Sequence, residues 1–521
     1  MTISALHGFG TTTAMFDYVT RLYEDRPFLT YRGADISYAA MRREVAALAE
    51  ALSNMGLGRG DGIAILASNT PETLFLRDAA PMRGIFYVAL NSLVPPERHA
   101  DTVRNFGLKA VIVDDREFPG RIEQMRDLLP GCIVQGLGAR ADGSGLSAFA
   151  EPFLDAPFRN LARADDVLRL GQTGGTTGQS KGVVLRHHGQ MAYVLMCNAT
   201  WDLPWDMRFL ATTPLSHAAG AFAPLAMLRG GSFRLLPKFS VSGFQDAIRA
   251  TGSNCTMLVP TQMKRILQDA DVDEKIIGGI ETISYGAAPI SPAVLADWLR
   301  RFGPNVSQLY GQAESPMCIT SLPKRLHSLD EPHRLSSCGL PNIGVQVAVL
   351  RADGSEAETG ETGEIVCRSP CVMEGYWGRP DESAAALDGD WLHTGDLGYR
   401  DADGFHYIVG RAKEMVISGG FNIYPKEIED ILIEHPSVRD VAVIGVPDED
   451  WGEALKALVV LHDGAALDTG ALAALVRSRK GAIQTPKSIE AIDAIPSTPA
   501  GKPDKLALRA RFWQDRDRGV A

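Results

Sequence analysis

The sequence predicts an α/β protein with a large N-terminal domain, built from two α/β layers and a small β-barrel, and a smaller α+β C-terminal domain. Three observations lead to this prediction: the chain has 521 residues, helical patterns alternate with continuous apolar runs, and the pattern changes after Arg411. A chain of this length rarely folds around a single hydrophobic core. We therefore expect domains over residues 1–411 and 412–521.

The first layer is predicted by the N-terminal part of the chain. Between Ser37 and Gly56 apolar residues recur every three or four positions, which predicts a helix that Ser37 caps and Gly56 follows. The apolar runs over 63–67 and 109–114 predict buried strands. Helices that alternate with continuously apolar strands are typical of a parallel sheet.

The remaining elements follow in order along the chain. Helix and strand patterns alternate again over residues 232–288 and predict the second layer. Residues 335–410 contain short strands between Gly, Pro and Asp turns, which predict the small barrel or a meander. The C-terminal domain is predicted by four elements, which are helices over 425–434 and 466–479 and strands over 441–446 and 455–461.

The composition excludes several classes of protein. The net charge of −11 and the lack of clustered Lys and Arg exclude a nucleic-acid-binding protein. Seven cysteines without zinc-binding spacing predict reduced thiols and a cytoplasmic location. No apolar run approaches the length of a membrane span, so we expect no integral membrane segment.

The strongest motif is a glycine- and threonine-rich loop, Thr173-Gly-Gly-Thr-Thr-Gly-Gln-Ser-Lys-Gly182, between two apolar runs. Its glycines allow backbone N–H groups to converge on one point, its threonines add hydroxyl donors, and Lys181 adds a positive charge. These groups suit a triphosphate. The loop is not a Walker P-loop, because Lys181 follows Ser180 and precedes Gly182. The alternative is a surface loop that is rich in threonine by chance.

A second motif places Asp396 and Arg411 on either side of a predicted hairpin. The segment Asp401-Ala-Asp-Gly404 is a strong turn signal between two strand-like stretches. A hairpin closed at this turn makes Asp396 and Arg411 neighbours in space. The carboxylate is then able to accept hydrogen bonds from both hydroxyls of a ribose, with the guanidinium alongside. The alternative is a structural salt bridge at the base of the hairpin.

A third motif is Tyr310-Gly-Gln-Ala-Glu-Ser-Pro316. Its aromatic ring is able to stack on a nucleotide base, and Glu314 is a candidate ligand for Mg²⁺ beside phosphate oxygens. The alternative is a chance spacing of two common residues.

A fourth motif, Pro496-Ser-Thr-Pro-Ala-Gly-Lys502, predicts a rigid exposed turn that presents one lysine. The alternative is an ordinary surface lysine that contributes only to solubility.

Together and in this order, the four motifs resemble the adenylate-forming superfamily, and within it the branch of acyl-CoA synthetases and fatty-acid–CoA ligases, over essentially the whole chain. The chain departs from the family at Ser180, where Pro is usual, and at Ala313, where Thr is usual. The resemblance implies a mobile C-terminal domain with its hinge at Lys413. It also implies an ATP/AMP site formed by Thr173, Gly174, Gly175, Thr176, Thr177, Gly178, Lys181, Gly286, Ala287, Ala288, Pro289, Tyr310, Gly311, Gln312, Ala313, Asp396 and Arg411.

The resemblance further implies roles in catalysis and substrate binding. The implied catalytic residues are Lys502, His217 and Glu314, and the implied metal ligands are Glu314 and Thr173. Small residues near His217 leave space for a bulky or long apolar acid, although His217 has the alternative of a purely structural role. The implied acyl pocket is formed by His217, Ala218, Gly220, Phe222, Tyr285 and Gly286, and the implied coenzyme A channel by Ser418, Gly419, Gly420 and Phe421.

The activity implied by the resemblance is an acid–thiol ligation that uses ATP, Mg²⁺ and coenzyme A. A small-molecule carboxylic acid is converted to its acyl-AMP with release of pyrophosphate, and the acyl group then forms a thioester with coenzyme A. Two alternatives stay open, namely a ligase that loads an acyl carrier protein and a non-catalytic relative that binds ligands. The oligomeric state is also open, a homodimer included.

Overall fold

The computed structural model describes residues 10–92, 94–138, 145–173, 180–418, 421–449, 451–496 and 503–513. Its strands, in chain order, are β1 (Pro27–Tyr31), β2 (Ala34–Ser37), β3 (Gly62–Leu66), β4 (Phe86–Ala89), β5 (Ala110–Val113), β6 (Ile133–Gly136), β7 (Val167–Thr173), β8 (Lys181–Arg186), β9 (Arg208–Ala211), β10 (Ser232–Leu235), β11 (Cys255–Leu258), β12 (Thr282–Gly286), β13 (Val306–Gln312), β14 (Ser315–Leu322), β15 (Leu340–Pro341), β16 (Gln346–Leu350), β17 (Gly363–Arg368), β18 (Leu387–Asp388), β19 (Trp391–Arg400), β20 (His406–Arg411), β21 (Val416–Ser418), β22 (Phe421–Ile423), β23 (Val438–Asp448), β24 (Gly452–Leu461) and β25 (Ser488–Ala491).

The helices, in the same order, are α1 (Thr12–Leu22), α2 (Tyr38–Asn54), α3 (Pro71–Met82), α4 (Pro96–Phe106), α5 (Arg121–Leu128), α6 (Leu146–Ala150), α7 (His187–Thr200), α8 (Ala219–Leu228), α9 (Val241–Thr251), α10 (Pro260–Gln268), α11 (Glu274–Gly278), α12 (Pro292–Phe302), α13 (Pro380–Ala386), α14 (Pro425–Leu432), α15 (Thr469–Lys480) and α16 (Lys505–Ala510). Within the described ranges, no helix combines the length and the apolar character that crossing a membrane requires.

The first layer is a six-stranded sheet in the order β6-β5-β3-β4-β7-β8. Its strands pair in parallel except for β7 and β8, which are antiparallel. The Ser37 side chain accepts a hydrogen bond from the Ala40 backbone and caps α2, and Gly56 follows this helix with a φ of 82°. The parallel sheet and the capped helix predicted for this part of the chain are confirmed.

The second layer is a nine-stranded sheet in the order β15-β14-β13-β12-β11-β9-β10-β1-β2. This sheet extends beyond the predicted residues 232–288, because β9 precedes them, β13, β14 and β15 follow them, and the N-terminal strands β1 and β2 join its edge. β1 pairs in parallel with β10, with Leu29 opposite Phe233. Local periodicity does not reveal such a pairing, since it joins segments that are far apart in the chain.

The main hydrophobic core contains residues of both sheets and of the helices between them. Four phenylalanine rings form a continuous row through this core. The ring centroids are 6.2 Å apart for Phe28 and Phe233, 5.0 Å for Phe233 and Phe209, and 4.6 Å for Phe209 and Phe222. The row fixes α8, which carries Phe222, against the second sheet.

The third sheet is antiparallel and has the order β16-β17-β19-β18, with β20 paired to β19. It occupies the region in which the sequence predicts a small barrel or meander. Tyr399 of β19 and Tyr407 of β20 are opposite each other, and their rings stack at 4.8 Å. The β19–β20 hairpin therefore has the register that the predicted turn requires.

The C-terminal part of the chain forms a sheet in the order β22-β21-β24-β23, with β25 parallel to β24. Helices α14 and α15 pack on this sheet and enclose a core of their own. The short helix α16 is joined to the rest by Lys505, whose ammonium lies 2.7 Å from Glu429 and 3.3 Å from Glu414. Both Lys505 and Glu429 are largely buried.

We expect Lys505→Ala to lower the free energy of unfolding of the C-terminal part by about 3 kcal/mol, because it leaves the Glu429 carboxylate buried without its cation. Burial already raises the pKa of Glu429. Protonation of Glu429 removes the unpaired charge. The loss of unfolding free energy in Lys505→Ala should therefore be complete above this raised pKa and should shrink as the pH falls below it. Urea unfolding followed by Trp fluorescence measures the effect.

The control is Arg477→Ala, which removes an exposed cation from α15 and should change the unfolding free energy by less than about 0.5 kcal/mol. Equal, small losses in both variants would contradict a structural role for Lys505.

Candidate active site

The candidate site is organised around Asp396, a buried carboxylate near the middle of β19. Asp396 is opposite Arg411 in the β19–β20 register, and the Arg411 Nε lies 2.9 Å from its Oδ1. The Tyr310 hydroxyl of β13 donates a hydrogen bond of 2.7 Å to Oδ2. The predicted proximity of Asp396 and Arg411 is confirmed. The contact with Tyr310 was not foreseen, and it joins the second sheet to the third.

The backbone comes unusually close to its neighbours at the ends of β12 and β13. A Cβ on Gly286 would lie 2.3 Å from the Leu309 carbonyl oxygen, and a Cβ on Gly311 would lie 2.4 Å from the Met317 nitrogen. Ala287 follows with a φ of 66°, a strained left-handed conformation for a residue other than glycine. The segment predicted to contact the base is thus a tight backbone turn, with Ala287 exposed.

The rest of the predicted base-binding segments lies at the surface of this turn. Ala288, Gln312 and Ala313 are partly exposed, and Pro289 is exposed. A ligand therefore has direct access to the strand ends next to Tyr310.

Glu314 and Lys181 are linked by an aromatic residue that the sequence did not single out. The Tyr376 hydroxyl donates a hydrogen bond of 2.8 Å to Glu314 Oε1, and the Lys181 ammonium lies 4.7 Å from the centre of the same ring. Lys181 also forms an ion pair with Glu382 of α13. The Met373 backbone N–H donates to the Glu314 carbonyl oxygen at 2.8 Å. Tyr376 and Glu382 come from a loop and helix distant in sequence, and no local motif marks them.

The residues predicted for the acyl pocket divide into two groups. His217 and Ala218 are accessible, whereas Gly220 and Phe222 are buried, the latter in the row of phenylalanines. Tyr285 is fully buried in a separate core and its hydroxyl lies 2.9 Å from His327 Nε2. The pocket role of these residues stays a prediction.

Arg77 of α3 holds the segment around His217 in place. Its guanidinium donates hydrogen bonds of 2.7 Å to the Leu215 carbonyl and 3.2 Å to the Gly220 carbonyl. A Cβ on Gly220 would lie 2.0 Å from the Arg77 Nη1, so this contact requires glycine. His217 Nδ1 lies 2.8 Å from the Ser216 hydroxyl, and the protein atoms around its accessible ring lower its pKa by partial desolvation. His217 is therefore neutral near pH 7.

The residues predicted for the second half of the reaction lie at the start of the C-terminal part. Lys413 lies in a single turn of 3₁₀-helix, Ala412–Glu414, directly after β20. Ser418 is buried at the end of β21, and Phe421 is exposed at the start of β22. Some predicted residues lie outside the described residues, namely Gly174, Gly175, Thr176, Thr177, Gly178, Gly419, Gly420 and Lys502, together with the side chain of Thr173.

The arrangement suits a nucleotide with a bound divalent cation. One oxygen of Glu314 accepts the hydrogen bond from Tyr376, and the other has no hydrogen bond or ion pair to a described residue. Mg²⁺ usually takes one or two carboxylates and completes its shell with phosphate oxygens and water. Across the described parts of the chain, no three His, Cys, Asp or Glu residues cluster as a metal site.

Comparison with known proteins decides the family. Residues 16–377 match the AMP-binding enzyme family, and residues 427–502 match the AMP-binding enzyme C-terminal domain. The chain belongs to the AMP-binding enzymes. Within this family it is one of the AMP-forming acid–thiol ligases. The resemblance inferred from the four motifs is confirmed.

Individual relatives of this AMP-binding enzyme cover almost its whole length. The medium/long-chain-fatty-acid–CoA ligase FadD8 of Mycobacterium tuberculosis is 37% identical over 96% of this chain and 89% of that protein. The fatty acid–[acyl-carrier-protein] ligase ScoC of Streptomyces coeruleorubidus is 30% identical over 95% of both. The crystal structure of ATP-bound MatB from Rhodopseudomonas palustris superposes with a TM-score of 0.88 at 29% identity, over 96% of this chain and 99% of that one.

We expect Tyr310→Phe to lower the free energy of unfolding by about 1.5–3 kcal/mol, because it removes a buried hydrogen bond to the Asp396 carboxylate. Urea titration without ligand measures this loss. Tyr399→Phe is the matched control, since the Tyr399 ring stacks on Tyr407 while its hydroxyl has no hydrogen bond to any residue described. If Tyr310→Phe were as stable as this control, Tyr310 would not hold Asp396.

Proposed function

We propose that this AMP-binding enzyme is an ATP-dependent acyl-CoA ligase that forms an acyl-AMP and then an acyl-CoA thioester. The observation that carries the proposal is the buried Asp396 carboxylate, held between Tyr310 and Arg411 beside the left-handed turn at Ala287. A carboxylate in this position suits the two hydroxyls of a ribose. The adjacent exposed turn suits an adenine ring.

In the first half-reaction, a carboxylate oxygen of the acid attacks the α-phosphorus of ATP and pyrophosphate leaves. Lys181 is the cation for the phosphate tail, and it exchanges its ion pair with Glu382 for phosphate oxygens. That pair is partly exposed, so the exchange costs little. Glu314 would hold Mg²⁺, which neutralises phosphate charge. Lys502 stabilises the charge that develops as pyrophosphate leaves.

In the second half-reaction, a thiol attacks the acyl carbon and AMP leaves. We place the domain boundary between residues 411 and 412 and the hinge at Lys413, so that rotation withdraws Lys502 and brings Ser418, Gly419, Gly420 and Phe421 to the site. Two contacts support this assignment. The Asp504 N–H donates to the Pro496 carbonyl at 2.7 Å, so described residues on either side of Lys502 in the sequence are in contact, and Arg509 donates to the Glu414 carbonyl at 3.1 Å beside the hinge.

Coenzyme A is the proposed acceptor because FadD8, the relative with 37% identity, is a CoA ligase. An acyl carrier protein is the second candidate, since ScoC is a ligase of that kind. Parallel assays with coenzyme A and a phosphopantetheinylated carrier protein separate the two acceptors.

The proposed function is tested by AMP release in the presence of ATP, Mg²⁺ and coenzyme A across aliphatic, aromatic and polycyclic acids. We expect at least one class to give AMP release that depends on both the acid and the thiol. Calorimetry with AMP is the companion measurement. A folded protein with no affinity for ATP or AMP would contradict the proposal.

Lys502→Ala should separate the two half-reactions. We expect acyl-AMP formation, measured as ATP–pyrophosphate exchange, to fall at least about a hundredfold, because the charge on the leaving pyrophosphate loses its partner. Thioester formation from supplied acyl-AMP should stay near the wild-type rate. The control is Lys487→Ala, which alters an exposed lysine of the same domain. An equal fall in both half-reactions would refute the two-conformation mechanism.

A further inference from the structure

A guanidinium to which no described residue supplies an anionic partner lies in the interior between the two large sheets. Arg169 is in the middle of β7, flanked by Leu168 and Leu170, which are both buried. No hydrogen bond or ion pair joins its side chain to any residue that the structure describes. Burial lowers the pKa of Arg169, with Tyr87, Arg77 and Tyr193 as the charged or titratable groups acting on it. None of these three is a carboxylate.

Such an arrangement is costly for the folded protein. Arginine does not release its proton at any ordinary pH, so the charge remains in the interior. A buried charge without a partner is strongly unfavourable. Arg169 is nevertheless partly accessible, so packed protein atoms do not enclose it completely.

Its surroundings offer further donors and little negative charge. Arg77 lies nearby and donates a hydrogen bond of 3.3 Å to the Tyr87 hydroxyl. The Tyr193 hydroxyl is buried, and the thiols of Cys197, Cys318 and Cys371 are the other titratable groups that act on it besides Arg169. Asp78, next to Arg77, is only partly accessible, and its desolvation raises the pKa of its carboxyl to about 7, with Arg77 acting in the opposite direction.

This cluster is continuous with the segment predicted to border the acyl pocket. Arg77 binds the carbonyl groups on both sides of His217. Tyr193 contacts Trp201 with ring centroids 5.9 Å apart, and Trp201 contacts Phe222 at 5.4 Å. The partly exposed side chains Met196, Ala218 and Met317 pack against the same core. Apolar side chains therefore lie between the segment around His217 and the Arg169 cluster.

We propose that Arg169 binds a second carboxylate, at the far end of the acyl substrate, and that the enzyme therefore prefers α,ω-dicarboxylic acids with an apolar middle. A guanidinium fork binds a carboxylate through two parallel hydrogen bonds, and the Tyr193 hydroxyl adds a third donor. The apolar walls accommodate the methylene chain. This inference rests on the proposed function, because it concerns the acid that the enzyme adenylates.

The test compares matched pairs of adenosine acyl sulfamates, which resemble the acyl-AMP and need no catalysis. Each pair consists of a methyl-ended and a carboxyl-ended chain of equal length: decanoyl with sebacyl, hexanoyl with adipyl, and hexadecanoyl with hexadecanedioyl. Calorimetry gives the affinity of each for the wild-type protein, with AMP as the reference ligand. We expect the carboxyl-ended member of at least one pair to bind about 10–100-fold more tightly.

Variants at Arg169 assign the preference to this side chain. Arg169→Met should abolish or invert the preference for carboxyl-ended ligands and leave AMP affinity unchanged. Arg169→Lys should retain part of this preference, because lysine keeps the charge but lacks the two-pronged guanidinium. Tyr193→Phe provides a milder change if Arg169→Met does not fold. We expect Tyr193→Phe to lower the preference severalfold.

Three results would overturn the inference. Equal or tighter binding of all methyl-ended ligands by the wild-type protein would refute it while the proposed function stood. A preference that survived in both Arg169→Met and Tyr193→Phe would assign the second carboxylate to another site. Absence of binding by all six sulfamates and by AMP would refute the proposed function and this inference with it.

Discussion

The arrangement of the site depends on how the carboxylate of Asp396 is held in the interior. A buried carboxylate is tolerated only when it is paired and hydrogen-bonded. Asp396 meets this requirement with Arg411 on its own hairpin and with the Tyr310 hydroxyl on a different sheet. The second and third sheets are therefore fixed relative to each other at this point. This one set of contacts brings two regions together. They are the exposed strand ends beside Tyr310 and the start of the C-terminal part beyond Arg411.

A second set of contacts, centred on Tyr376, positions the charged groups of Glu314 and Lys181. Tyr376 touches both Glu314 and Lys181, so the position of one charged group depends on that of the other. Glu382 forms an ion pair with the Lys181 ammonium. Under the proposed function, the phosphate tail displaces this carboxylate, and a cation at Glu314 would lie beside the same ring. The charges of Lys181 and Glu314 thus complement a ligand that carries negative charge together with a divalent cation.

Local patterns predicted much of this molecule, and long-range pairing accounts for what they missed. The α2 helix follows from its apolar spacing and the Ser37 cap, and the Asp396–Arg411 pair follows from a turn signal within one hairpin. The edge strands β1 and β2, the contact of Tyr310 with Asp396, and the role of Tyr376 depend on segments that meet only after folding. Arg169 was overlooked for another reason. One charged residue within an apolar run does not disturb a strand prediction, and the lack of a partner is visible only in three dimensions.

Strand β7 connects the two proposals. It carries Thr173, the first residue of the predicted phosphate loop, at one end and Arg169 four positions earlier. At the rise of a β-strand the two Cα atoms are about 13 Å apart. Because β4 and β8 pair with β7 on its two sides, neither end is free to move without the other. Under these proposals, one rigid strand spans from the phosphates to the far end of the acid, so the separation between the two anionic groups of the acyl-adenylate is set by the sheet. Substrate length would then be selected by backbone geometry, and substrate polarity by a single side chain.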